Sequence, residues 1–183
     1  ENNTDMNKKL KKILNVLLAF MVALVVYIVL HEFGHMIVML SAGAKITEFS
    51  ILTAHVTSVG GSYNNLSDLW LHVNGVAFPV IALMIYMLLY SRKTKNMFYR
   101  IFSFVFSVST IGTMGAWVFI PFLYMQGNAP VGDDVTNFLY NFTHDHHPLL
   151  VSGVALFIMT VAIAIMIKKG IVKNYILEIR SEV

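Results

Sequence analysis

An all-α membrane protein, with four transmembrane helices and a short β-strand or hairpin inserted after the first, is the fold class this sequence predicts. Three observations carry that expectation. Of 183 residues, 57% are hydrophobic and only 13% charged, with a mean hydropathy of +0.69, which lies outside the range of soluble domains. Four apolar runs are long enough to cross a hydrocarbon core, which takes about 20 helical residues. Between the first two runs, β-branched and Ser/Thr-rich residues replace the aliphatic ones, as strands prefer. One polytopic membrane domain, residues 1–183, is expected, with no internal repeat, low-complexity tract or long linker.

The first span covers roughly residues 13–42. At 1.5 Å per residue it would reach about 45 Å, against a hydrocarbon core of about 30 Å, so its far end is expected to leave the lipid. Basic residues before an apolar stretch that ends in "SAGA" also resemble a secretory leader. The apolar core exceeds the 7–15 residues or so usual there, and cleavage would discard the histidines discussed below. Next comes "KITEFSILTAHVTSVGGSYNN", closed by Gly60, Gly61, Asn64 and Asn65, which predicts a strand or hairpin with a turn. The second span, about 69–90, contains "LWLHVNGVAFPV": His72 and Asn74 sit near its outer end, and Gly75 and Pro79 permit a close approach or a kink.

The third span, about 101–125, is followed by "PVGDDVTNFLY". There Gly132 supplies a turn, and Asp133 or Asp134 is placed to cap a short helix carrying Val135, Phe138 and Leu139. The fourth span covers about 149–167. Trp70, Trp117 and Tyr124 fit an aromatic belt at the outer interface, and the eleven methionines suit packing or lipid contact.

Charge sets the expected orientation. Of thirteen Lys and Arg residues, twelve flank the spans on one side: Lys8, Lys9, Lys11 and Lys12, then Arg92, Lys93, Lys95 and Arg100, then Lys168, Lys169, Lys173 and Arg180. The other side, residues 43–68 and 126–148, holds only Lys45 and carries Asp133, Asp134 and Asp145. The positive-inside rule then makes both termini cytoplasmic. The net charge of +3 reflects that asymmetry and not a nucleic-acid surface, since no basic face is interleaved with aromatics. No cysteine is present, so disulfides and thiolate metal sites are excluded, and any metal must be held by His, Asp or Glu.

Inside the first span lies "YIVLHEFGHMIVML", Tyr27 to Leu40. His31 and His35, one helical turn apart, project from the same face, with Glu32 beside them. This HExxH pattern supplies two ligands for a zinc ion, whose bound water is acidified toward neutrality, and a general base, Glu32, to take the proton as water attacks a carbonyl. Chance occurrence in a chain of this size is on the order of one in a hundred. An ionised residue at a helix centre costs about 2.5–3.5 kcal/mol on translocon scales, so such groups usually face an interior and have a task. Helical rise puts His31 about 27 Å from Ile13, in the non-cytoplasmic part of the bilayer.

The segment resembles the site-2 family of intramembrane zinc metalloproteases, through HEFGH in an apolar helix, "SAGAKITEFSI", the "VGG" at Val59 to Gly61, "NGVAFP" in the second span and a late acidic segment, over roughly residues 25–140. The resemblance implies cleavage of membrane-associated peptide bonds, an edge strand that pairs with substrate, and an aspartate on a later helix as third ligand to one zinc ion per chain. Family members usually follow that aspartate with glycine. This chain has no such pair, and Asp133 and Asp134 are the equivalents, on the same side of the bilayer as HEFGH. Asn74 is the candidate oxyanion donor, although here the family's adjacent Gly-Pro pair is split. A competing ligand source is "THDHHP", with His144, His146 and His147.

The expected function is thus that of a zinc endopeptidase acting on a membrane-anchored or secreted peptide, with an adaptor protein to present substrate, since no recognisable peptide-binding module is visible. Many family members open their site to the cytosol, whereas the charge count here turns it outward. The alternative is a non-enzymatic metal-binding membrane protein, a transporter or assembly partner. The third and fourth spans offer only hydroxyls such as Ser107, Thr110 and Ser152 along any conduction path, which disfavours transport.

Overall fold

The computed structural model describes residues 3–180; residues 1–2 and 181–183, and the side chains of residues 3–5 and of Lys8, lie outside that description. In chain order the elements are α1 (Asn3–Ser41), β1 (Ala44–Ser50), β2 (His55–Gly60), α2 (Asn65–Leu89), α3 (Met97–Met125), α4 (Asp134–Phe142), α5 (Leu149–Lys168) and α6 (Ile171–Arg180). Four of the helices, α1, α2, α3 and α5, are long and apolar enough to cross a membrane, the architecture of a multi-pass membrane protein. Large apolar side chains such as Leu14, Leu17, Phe20, Phe119 and Phe157 are more than half exposed, a surface suited to lipid and ruinous in water.

α1 packs on α2 and α3, and α3 packs on α5 and α6. As a single helix of 39 residues, α1 is about 58 Å long, so it overreaches the hydrocarbon layer, as the length of its apolar run requires. Gly43, at φ +79°, ends it in the left-handed conformation that costs glycine nothing. The chain then turns back in an antiparallel hairpin, β1 against β2, with Thr47 as an extra residue in β1 between Ile46 and Glu48. The hairpin reverses at residues 51–54 with Ala54 at φ 48°. The glycines and asparagines that signalled a turn serve instead after β2. There Asn64 caps α2 in a reciprocal box with Ser67, each backbone N–H donating to the other's side-chain oxygen at 2.8 Å.

α2 runs uninterrupted through Pro79, and the close approach is made at Gly75. A Cβ on Gly75 would stand 2.5 Å from His35 Nε2 and 2.8 Å from His31 Cε1, while one on Gly34 would collide with the Asn74 carbonyl. Gly34 lets α1 touch the backbone of α2 at Asn74, and Gly75 leaves room on α2 for the two imidazoles at the level of HEFGH. α4, at nine residues, is too short to stand alone. It is held by Val135 and Leu139, 1% and 0% exposed, and removing such side chains from water is worth about 1.5–3 kcal/mol each. Trp117, expected in an interfacial belt, is buried with its ring 5.3 Å from that of Phe138: α4 folds back over it. Trp70 remains 53% exposed.

Candidate metal centre

The register set by the α2 cap places Asp68, His72 and Gly75 at i, i+4 and i+7, on one face. α1 presents His31, Glu32 and His35, and α4 begins with Asp134. His31, Glu32, His35, His72 and Asp134, together with Leu71, Met39, Asp133 and the start of β2, line a cavity of about 520 Å³. A separate cavity of about 310 Å³ between α2, α3, α4 and α5 is bounded only by apolar side chains such as Val76, Met114 and Val151, so no acid–base or ligand chemistry is available in it.

Within the first cavity three atoms converge. His31 Nε2 lies 3.2 Å from His35 Nε2, and Asp134 Oδ2 lies 3.4 Å from the former and 3.2 Å from the latter. A tetrahedral ion with ligands at 2.0–2.1 Å separates them by about 3.3 Å, so this triangle has the edge lengths of one face of such a polyhedron. Chemistry agrees with geometry. His35 Nδ1 is 2.7 Å from the Leu71 carbonyl, which can only accept, so Nδ1 carries a proton and Nε2 is the atom turned toward Asp134. At 3.2 Å Nε2 and the carboxylate oxygen meet through a shared proton or a shared metal cation, and two imidazoles with one carboxylate are a donor set suited to zinc. Among the described residues, His31, His35 and Asp134 form the one group able to hold a metal ion.

Glu32 is 3% exposed, with Oε1 4.0 Å from His31 Nε2. No hydrogen bond engages its carboxylate among the described residues, so it faces the cavity with its proton-accepting capacity unused. Burial opposes ionisation of Asp134, but hydrogen bonds from His31, His35 and His72 outweigh it and hold the carboxyl well below the usual carboxylate range.

The two adjacent aspartates have opposite roles. Asp133 sits in extended conformation as the cap of α4, its side chain accepting from Val135 N at 2.9 Å and Thr136 N at 3.4 Å. That use is worth about 1 kcal/mol, and of the two aspartates it is Asp134 whose carboxylate meets the two imidazoles. The Asn74 Nδ2 donates to the Gly34 carbonyl at 2.7 Å, and Asn74 is not among the cavity's lining residues. It fastens α2 to α1. The alternative ligands of "THDHHP" stay apart from the triangle. The His144 and His146 rings lie beside Tyr140 and Phe142, and His147 Nδ1 accepts from Leu149 N.

Sequence reasoning assigned no site role to His72. Its Nδ1 stands 3.4 Å from Asp134 Oδ1, the oxygen turned away from the triangle, and its Nε2 stands 4.0 Å from Asp68. Asn141, two turns along α4 from Asp134, donates to Asp68. The series Asn141, Asp68, His72, Asp134 therefore ties α4 to α2 and orients the carboxylate. Its only sequence trace was a histidine and an aspartate four apart at the outer end of a span. His55 opens β2, borders the cavity and lies 3.3 Å from Glu48. Compared with known proteins, the chain matches no family model, no curated protein and no solved structure.

Proposed function

We propose that this chain is a zinc-dependent intramembrane endopeptidase of the site-2 protease type, cleaving a membrane-embedded or membrane-associated peptide. The observation that carries the proposal is the triangle of His31 Nε2, His35 Nε2 and Asp134 Oδ2, with buried Glu32 lining the same cavity. His31, His35 and Asp134 would hold one zinc ion per chain. When bound, zinc supplies Lewis acidity to the scissile carbonyl and acidifies water.

The rest is the work of the chain's own residues. Glu32 takes the proton of the attacking water as its oxygen bonds to the carbonyl carbon. It returns that proton to the amine nitrogen as the C–N bond breaks, releasing a carboxylate and an amine. Leu71 fixes the His35 tautomer, and His72 orients Asp134, so both act as positioning residues. A substrate helix must unwind locally, because its carbonyls are otherwise hydrogen-bonded. β2 is paired only with β1, and its first residues border the cavity, so the unpaired edge of β2 suits an extended peptide.

The lysine and arginine asymmetry supports an orientation with both termini cytoplasmic and the cavity on the non-cytoplasmic side. Substrate is then a secreted or membrane-anchored peptide, presented by an adaptor.

The test is Glu32→Gln in the full chain, assayed for metal content and for cleavage of a co-expressed membrane peptide. Retained zinc with cleavage reduced by about 10³-fold is expected. Undiminished cleavage would sink the protease reading and leave a metal-binding membrane protein without catalysis.

A further inference from the structure

At the opposite end of the bundle, a cavity of about 470 Å³ lies where the segment after α2, the first turn of α3 and the α5–α6 turn meet. Four cationic side chains line it, Arg92, Arg100, Lys168 and Lys173, together with Asn174, and no acidic residue does. Basic residues on this side are expected from orientation alone. Orientation, however, does not require them to converge on one cavity or to be held there.

Two of the four are held. Arg92 Nε donates to the Lys169 carbonyl at 3.0 Å. The backbone carbonyl of Arg92 accepts from Asn174 Nδ2, a buried amide that also donates to the Tyr90 hydroxyl. Arg100 Nε donates to the Thr94 carbonyl at 2.9 Å, and its Nη1 donates to Glu178 at 3.0 Å. Gly170, at φ +75°, brings the α5–α6 turn under the Arg92 arm, whose methylenes would lie 3.6 Å from a Cβ there. Both Nη groups of Arg92 and Nη2 of Arg100 make no hydrogen bond among the described residues, and neither do the ammonium groups of Lys168 and Lys173. Glu178 offsets one positive charge and leaves three.

We propose that this cavity binds a phosphate group. Two guanidinium planes anchored through Nε, with both Nη groups of Arg92 and Nη2 of Arg100 open, match the oxygens of a phosphate, and two flexible ammonium groups complete the charge. Lys168 is the last residue of the α5 span, and Arg92 closely follows α2, so the cavity sits at the level where helices leave the hydrocarbon and lipid phosphates reside. Ile167 and Leu177 line it too and are 60% and 51% exposed, an apolar border suited to a phosphate that carries an acyl chain. A soluble phosphate shares the same recognition chemistry.

The experiment compares wild type, Lys168→Gln/Lys173→Gln and Lys95→Gln in the full chain. The first pair makes no hydrogen bond that folding would miss, and Lys95 is an exposed lysine of the same face outside the cavity. Each is equilibrated in nanodiscs of phosphatidylcholine with or without phosphatidylglycerol, and co-purifying lipid is counted by native mass spectrometry. In a parallel arm, inorganic phosphate is titrated in. Wild type should retain phosphatidylglycerol over phosphatidylcholine, the double variant about tenfold less, and Lys95→Gln within about twofold of wild type. Retention that resists inorganic phosphate identifies a lipid as the source of the phosphate. Binding of inorganic phosphate that displaces phosphatidylglycerol, and is lost in the double variant, identifies a soluble one. Equal behaviour of wild type and double variant, or a loss in Lys95→Gln as large as in the double variant, means diffuse surface attraction and overturns the proposal.

Discussion

The two ends of the helix bundle solve opposite electrostatic problems. Around HEFGH, groups that donate electron pairs converge: Asp134 Oδ2 and two imidazole nitrogens lie within 3.4 Å of one another, and a cation is needed to make the arrangement favourable. Around the α5–α6 turn, positive groups are anchored to carbonyls and to Glu178 and kept apart by a cavity. The difference teaches how polarity is tolerated beside a bilayer. Partly buried groups of the first kind share one partner, while groups of the second kind at the rim can be held singly and left open to water or headgroups.

Substitutions should separate the ends cleanly. The largest effect is expected from Asp134→Ala, which should weaken zinc binding by more than about a hundredfold. Asp133→Ala should keep the metal and cost about 1 kcal/mol of stability through the lost cap. Chelator competition on the purified variants measures the first, and thermal unfolding in detergent the second; equal metal loss in both would erase the distinction between the aspartates.

His72→Ala should raise the zinc dissociation constant by about 10–100-fold without removing a ligand, read by the same competition. Next comes Gly75→Ala, whose methyl would land on the imidazoles and should cost about 1–3 kcal/mol by overpacking. Gly153→Ala, with open space around it, should gain up to about 1 kcal/mol from helix propensity. Opposite signs in thermal unfolding are the expected result. Smallest, Glu178→Gln should cost about 1 kcal/mol at the basic end and leave zinc binding untouched; a shift in metal affinity would mean that the ends are coupled.

How much of this was legible in the chain depends on the range of the interaction. HEFGH could be read because its geometry is local: two residues four apart on any helix share a face. The short helix carrying Val135 and Leu139 was legible for the same reason. The choice between Asp133 and Asp134 was not, since it turns on which of two neighbours adopts the extended conformation of the cap. His72 meets a partner 62 positions away, and no periodicity reports such a pair. The hairpin turn escaped notice because residues 51–54 contain no glycine or asparagine, and Ala54 takes positive φ without the usual signal. α6 was hidden too: ten residues with basic groups read as a flank of the last span until Ile171 and Asn174 are seen buried.

The sequence by itself determined four membrane-length helices, the strand insertion and the histidine pair with its carboxylate, because composition and periodicity act over one or two turns. Only the tertiary structure decided that Asp134 completes the triangle, that Asn74 binds α1 rather than facing the cavity, and that Trp117 is core. Each of those outcomes depends on which helix faces which. That is set by the close approach of α1 and α2 at Gly34 and Gly75 and by the apolar face that folds α4 over Trp117, and neither belongs to any single segment.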